Sequence, residues 1–311
     1  MTSLGDSHPQ GLPLRHALLA LAVAAVWGTN FVVIRWGLDS FPPLLFALLR
    51  FVFVFFPAAL FIRRPEAPWL KLAAYGVLIG AGQFGLLYIA MGGHISAGLA
   101  SLVVQCQVFF TIGLSVLIAG EKVRGYQWVA VALAASGLVL IGAKGGGDAS
   151  PLGLTLVMLA GLSWACANVL MKRTPSANML AYVVWASLFS LPPLLILALM
   201  FEGPSVILNA LVHATPAAWA AVGWQSLGNS LFGYAVWGWL LGRYPAASVT
   251  PTALLVPVFG MAAAAALLGE PLQSWKLAAA VLVLSGLCLN LLTPRYFAWR
   301  QARAAALPPA S

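Results

Sequence analysis

The chain has 311 residues, 62% of them hydrophobic and only 7% charged, with a formal net charge of +9. A water-soluble globular domain carries about 25% charged residues, so this composition excludes a chain solvated by water alone and calls for lipid. The positive charge does not indicate nucleic acid, because the lysines and arginines fall in short segments between apolar runs, where they set orientation in a bilayer.

In chain order, residues 1–14 are polar and carry Pro9 and Pro13, and are expected to be an unstructured tail. The next apolar stretch runs from 17 past Trp27 to Leu38. It is too long for the core of a cleaved signal peptide and forms a first membrane helix. Ten spans are predicted, near 16–37, 43–62, 69–91, 96–119, 125–143, 151–171, 178–201, 216–241, 246–268 and 273–293. Lengths of about 16–25 residues suffice for a roughly 30 Å hydrocarbon core at 1.5 Å per residue. Pro251 and Pro257 remove N–H groups from the ninth span and predict a kink there. Residues 295–311 are basic, then rich in alanine and proline, and are expected to be loose. Cys106, Cys166 and Cys288 lie in separate apolar runs without disulfide or metal-ligand spacing, so neither a metal nor a cofactor is expected.

With the N-terminus inside, twelve lysines and arginines fall at cytoplasmic ends against three (Arg35, Lys144 and Lys276) outside, Arg50 lying within a span. This asymmetry places both termini in the cytoplasm.

The segment 119–141 returns at 268–290. A shift of 149 residues lays Gly120-Glu121 on Gly269-Glu270, Ser136-Gly137-Leu138 on Ser285-Gly286-Leu287, and Tyr126 on Trp275. The period is far too long for a solenoid and indicates a duplicated half. Residues 1–144 form a first five-helix repeat; residues 145–311 form a second, with a cytoplasmic tail. Five is odd, so the second half enters the membrane inverted. The predicted fold is an all-α integral membrane protein of ten transmembrane helices in a five-plus-five inverted repeat, an architecture used by secondary transporters. The first spans of the halves match at a shift of 137, Trp27 on Trp164 and Arg35 on Lys172. The 12 further residues (149 − 137) are expected to enter in the stretch 202–216.

Asp6, Asp39, Glu66, Glu121, Asp148, Glu202 and Glu270 all lie in tails, loops or span ends. Proton-driven pumps use buried carboxylates as relays, so little or no obligatory proton coupling through a carboxylate is expected. Glu121 and Glu270 each precede a helix closely enough to cap its exposed N–H groups. Arg50 is the one charge deep in a span. It is a possible charge partner, either a fork for a substrate carboxylate or a contact internal to the bundle. On helical spacing, Trp27 and Asn30 share a face, as do Trp164 and Asn168 in the equivalent span. Gln225, Asn229, Gly233 and Trp237 form a stripe at i+4 spacing in the eighth span, and Ser101 shares a face with Gln105 in the fourth. Tyr75 and Tyr88 fall on Trp224 and Trp237 at the 149-residue shift, with Gln83 on the Tyr75 side. Trp27, Asn30, Tyr75, Gln83, Tyr88, Gln105, Trp164, Asn168, Asn229 and Trp237 are therefore the candidate substrate-binding residues of an uncharged cavity. Rings and amides suit a small amphipathic solute. The competing roles are helix–helix hydrogen bonding for the amides and interfacial belts for the rings.

Ten spans, the repeat, the early Trp27-Gly28, a Gly-Glu after the fourth span of each half, and the stretch 246–270 with Pro257-Val258-Phe259 ahead of Leu268-Gly269-Glu270 resemble the EamA family of the drug/metabolite transporter superfamily. The resemblance covers about residues 16–293, and departs where Val108 stands opposite Pro257. Within the family it is greatest to the aromatic amino-acid exporters. It implies an inner-membrane carrier that exports aromatic and other neutral amino acids by alternating access, without a cofactor. Other small metabolites, organic cations and drugs are alternative cargo. A sugar-phosphate carrier would need several buried cations, and only Arg50 qualifies. No H-E-x-x-H, G-x-S-x-G or paired membrane aspartate is present, which argues against an enzyme. A non-transporting receptor would have no use for the repeat.

Overall fold

A chain this apolar must satisfy its backbone within each segment, and helices do so. The computed structural model describes residues 12–119, 124–172 and 178–305. Its helices are α1 (Leu14–Gly37), α2 (Pro43–Ala59), α3 (Trp69–Met91), α4 (Ala97–Ile118), α5 (Gly125–Lys144), α6 (Pro151–Lys172), α7 (Met179–Phe201), α8 (Pro204–His213), α9 (Pro216–Arg243), α10 (Thr250–Leu268) and α11 (Ser274–Ala305). Among the described residues there is no strand, only an isolated bridge between Ile95 and Ala149. Eight helices are long and apolar enough to cross a membrane, or nine if α8 and α9, bent by 101°, count as one span. The remaining apolar helix, α2, has 17 residues.

Predicted and observed ends agree to within a few residues except at three places, each near a proline. Pro57 lies in the last turn of α2, which stops at Ala59 rather than 62. The ninth span opens as a short helix, Ala246–Val249, then a 3₁₀ stretch, Thr250–Leu255. Pro251 and Pro257 sit in the first turns of that stretch and of the helix after it. A missing N–H costs nothing there, so these prolines mark a junction between helical segments. The third difference is α11, which continues through Pro294 to Ala305 where a loose tail was expected. Arg295 anchors it by donating from Nη2 to Thr250 Oγ1 at 2.9 Å. The stretch 202–216 holds α8.

Most of the large packing contacts join the first half of the chain to the second. α1 lies on α10, α4 on α6, α2 and α3 on α7, and α5 on α11. The last pair accounts for the repeated Ser-Gly-Leu. A Cβ on Gly137 would stand 3.0 Å from the Ala279 carbonyl, and a Cβ on Gly286 would stand 2.5 Å from the Ala130 carbonyl. These contacts are reciprocal, since 286 − 137 and 279 − 130 are both 149. Small residues let membrane helices approach this closely. Gly286→Leu is expected to cost about 1–3 kcal/mol by overpacking against backbone that cannot yield. The check is a lower apparent melting temperature in detergent, against an unchanged one for a substitution at Val281, which is 63% exposed.

At one end of the bundle the loops of the two halves are stitched together. Ser96 N donates to Asp148 O and Ser150 N to His94 O, each at 2.8 Å. Lys276 Nζ lies 3.2 Å from Asp148 Oδ2. Glu270 caps a helix, but not the one that follows it: its carboxylate accepts from Ala97 N at 2.8 Å and Gly98 N at 3.1 Å, the first turn of α4. Glu202 does the same for α2, accepting from Leu44 N and Leu45 N at 2.5 and 3.0 Å. Cα-level sequence spacing cannot foresee caps supplied across the fold. Glu121 lies outside the described residues.

Candidate binding cavity

A cavity of about 260 Å³ lies between the halves. Its wall comes from α1 (Trp27, Asn30, Phe31 and Ile34), α3 (Tyr75, Gln83, Phe84 and Leu87), α4 (Val104, Gln105 and Gln107), α6 (Trp164, Asn168 and Met171), the start of α7 (Met179), α9 (Asn229, Tyr234 and Trp237) and α10 (Ala253 and Val256). The structure thus brings together every predicted binding residue except Tyr88. Two predictions about placement fail, for one reason.

The reason is that α3 and α9 are not α-helical throughout. Each contains a π-helical stretch, Leu78–Gly85 in α3 and Trp224–Phe232 in α9. A wider turn rotates everything beyond it off the 3.6-residue period, and such turns are frequent at functional sites. Tyr88 is consequently fully buried away from the cavity, donating its hydroxyl to Gln225 Oε1 at 2.8 Å. Gln225 also leaves the predicted i+4 stripe and is fully buried behind the wall. The π stretches begin 146 residues apart (224 − 78), not 149. Of the pairs matched at 149, Tyr75 lines the cavity while Trp224 is 39% exposed, and Tyr88 is hidden while Trp237 lines it.

The wide turns also make carbonyls available. In α9, Gly233 N bonds back to Gly228 O, and the carbonyl of Asn229 accepts the Trp27 indole N–H at 3.1 Å. In α3, Leu78 O accepts the Ser163 hydroxyl at 2.8 Å. Each π turn is thus bonded by the first helix of the other half. Trp27 packs against Tyr234 and Trp237 at ring-centroid distances of 5.7 and 5.2 Å. Across the cavity, Asn168 Nδ2 donates to Gln107 Oε1 at 2.9 Å. Asn30 and Gln83 are 3% and 4% exposed, and the side-chain oxygens Asn30 Oδ1 and Gln83 Oε1 have no hydrogen-bond partner. Both oxygens are themselves shielded from solvent, and a buried polar atom left unpaired costs about 1–3 kcal/mol.

Arg50 does not reach the cavity wall. Its guanidinium lies behind Asn229, 1% exposed. Nη1 donates to Gln225 Oε1 at 2.6 Å and to Tyr88 Oη at 3.3 Å. Nη2 donates to Asn229 Oδ1 at 2.7 Å and to Ser230 Oγ at 3.0 Å. The Phe84 ring centroid is 3.8 Å from its central carbon. A direct fork for a substrate carboxylate is replaced by a hydrogen-bonded tie between α2, α3 and α9. Tyr234, Met171 and Met179 were not foreseen as wall residues. They carry no pattern distinguishing them from core, and Tyr234 follows directly on the π stretch of α9. Among the described residues no group of three or more His, Cys, Asp or Glu could hold a metal ion.

The model of the EamA-like transporter family matches residues 14–143 and 151–292. The chain is 42% identical over 283 residues to a protein of Salmonella typhimurium strain LT2 named a probable amino-acid metabolite efflux pump, covering 89% of this chain and 95% of that one. It is 30% identical over 290 residues to an uncharacterized inner membrane transporter, YedA, of Escherichia coli strain K12, covering 91% and 92%. A solved crystal structure superposes with a TM-score of 0.59 at 19% identity over 91% of this chain and 98% of that chain, a likeness of fold.

Proposed function

The chain belongs to the EamA-like transporter family, and from that membership and the cavity we propose that it exports amino acids, neutral and amphipathic ones above all, by alternating access. The Salmonella relative's name supports this cargo. The observation that carries the proposal is a cavity walled by the tryptophans Trp27, Trp164 and Trp237 and by amides, Asn30, Gln83, Gln105, Asn168 and Asn229 among them, whose side-chain oxygens and nitrogens can pair with a polar guest. Rings take an apolar side chain, and the oxygens accept an ammonium.

The membrane architecture proposed is ten spans in two inverted halves, 1–144 and 145–311. The eight long helices, the bent pair α8–α9 and the 17-residue α2 supply ten crossings (8 + 1 + 1). At 1.5 Å per residue α2 is about 26 Å long, within what local bilayer thinning accommodates. Four observations support the duplication. The family model matches once in each half. Each half has a π stretch in its third span and a 3₁₀ break in its fourth. The fifth spans pack reciprocally through Gly137 and Gly286. The first, third and fourth spans of both halves form most of the cavity wall. Interrupted helices around a site between repeats are a recurring transporter feature.

With both termini cytoplasmic, as the lysines and arginines indicate, the end stitched by Glu270, Asp148 and Lys276 faces outward. Met171, Met179, Trp237 and Ala253 bring the cavity towards the cytoplasmic ends of α6, α7, α9 and α10. This is the state in which an exporter loads. The name of the Escherichia coli relative supports an inner-membrane location.

The test is exchange into proteoliposomes preloaded with unlabelled amino acids, without a proton gradient. Labelled phenylalanine, threonine or methionine is expected to accumulate, and collapsing a proton gradient at fixed substrate gradient is expected to change nothing. Glu202 and Glu270 are occupied as helix caps, Asp39 and Asp148 pair with Arg35 and Lys276, and Glu66 is exposed. Failure of every amino acid to exchange, with the protein folded, would transfer the site to other amphipathic metabolites or organic cations.

A further inference from the structure

We infer that the cavity selects for a free carboxylate and rejects cations, and that Arg50 imposes this selection from behind the wall through Asn229. The inference rests on the export reading for its cargo, but its basis is the charge balance around Arg50.

Arg50 is a buried cation whose side-chain partners are all neutral: Gln225, Tyr88, Asn229 and Ser230, with the Phe84 ring beneath. Among the described residues no carboxylate pairs with it; the carboxylates that form ion pairs there are Asp39, with Arg35, and Asp148, with Lys276. Burying a charge without a counter-ion is costly, and its field is weakly screened where water is scarce. Asn229 belongs both to this network and to the cavity wall.

The hydrogen bond fixes the amide. Because Nη2 donates to Asn229 Oδ1 at 2.7 Å, that oxygen is engaged and Nδ2 is left as the group able to donate elsewhere. The Asn229 side of the wall therefore presents an N–H donor backed by a full positive charge, the complement of a carboxylate. Elsewhere the same wall carries the amides of Asn30 and Gln83, whose side-chain oxygens are buried in this state and have no partner in the protein. Donor and cation on one side, acceptors on others, match the two charges of a zwitterion. A solute bearing only an ammonium would meet Arg50 with no counter-charge of its own.

Arg50 is a positioning residue in this scheme, so the test reads selectivity. Counterflow of labelled phenylalanine is measured in proteoliposomes, with phenylalaninamide (ammonium, no carboxylate) and 3-phenylpropionate (carboxylate, no ammonium) as competitors. The expected result is competition by 3-phenylpropionate and an about hundredfold weaker effect of the amide, since like-charge juxtaposition in a desolvated site is strongly disfavoured. Asn229→Asp places a carboxylate on Arg50 and cancels its charge. That variant is expected to lose affinity for phenylalanine and to gain it for the amide. Equal competition by amide and acid in the wild type, which needs no variant to fold, overturns the inference and leaves amino-acid export standing. If no amino acid moves at all, the export reading fails. The charge preference is then read from quenching of tryptophan fluorescence, to which Trp27, Trp164 and Trp237 at the wall contribute. Stronger quenching by 3-phenylpropionate than by phenethylammonium supports the inference; equal or reversed quenching overturns it.

Discussion

Arg50→Leu is expected to leave little folded protein. The guanidinium is 1% exposed and bonds groups on α3 and α9 from its own position on α2. Leucine fills part of the volume but leaves Gln225 Oε1 and Asn229 Oδ1 without their cationic donor. Removing one member of a buried charged network costs about 3–5 kcal/mol, against a total stability of about 5–15 kcal/mol. Ser226 Oγ, which donates to the Arg50 backbone carbonyl at 3.1 Å, would survive the change and cannot compensate for it. Arg50→Lys keeps the charge but not the fork. One ammonium does not reproduce the planar pair of donors that reaches Gln225 and Asn229 together, so an intermediate loss is expected. Size-exclusion profiles and thermal melts in detergent order the three proteins; a leucine variant that melts with the wild type would refute the network's structural weight.

The spans themselves were legible because hydropathy over about 20 residues is a coarse, robust signal. The ends of α3 were read to the residue, with Trp69 at the start and the Gly92-Gly93 pair after Met91. The cavity was legible through polar residues in apolar helices, where an amide needs a partner and Asn30, Gln83, Gln105, Asn168 and Asn229 stand out against their neighbours. Two things were not legible. A π turn inserts one residue into a helical ladder without altering hydropathy, and Leu78–Gly85 looks like any Gly-rich apolar stretch. Beyond such a turn the helical register read from the sequence no longer holds, and both Tyr88, hidden, and Tyr234, at the wall, lie beyond one. Contacts across the fold leave no local trace either. Glu270 and Ala97 are 173 residues apart, and so are read as a cap and a helix start without any sign that each serves the other. Arg50 announced itself as costly, yet its partners Gln225 and Asn229, 175 and 179 residues away, could only be found in three dimensions.

Trp27→Ala is expected to remove most transport while leaving the protein folded. Trp27 is half-buried at the wall, so its loss enlarges the cavity instead of opening a void in the sealed core. Ring contacts with Tyr234 and Trp237 are worth about 0.5–1.5 kcal/mol each beyond area burial. They hold the aromatic wall in place for a substrate side chain. Loss of about 2–3 kcal/mol of substrate affinity corresponds to roughly 30–150-fold, read as a raised KM in counterflow. Trp27→Phe separates the two functions of the indole. It retains a ring but loses the N–H donated to Asn229 O, a neutral hydrogen bond worth about 0.5–1.5 kcal/mol net. A several-fold rise in KM is therefore expected for Phe against the larger rise for Ala. If the two variants were equally impaired, the indole N–H that ties α1 to the π turn of α9 would be the determinant, and the stacking platform would not. If neither were impaired while Trp164→Ala was, the α6 side of the cavity would hold the apolar end of the substrate. The two tryptophans would then be equivalent by sequence position but not in use, the asymmetry expected when Arg50 comes from the first half alone and the amide it holds, Asn229, from the second.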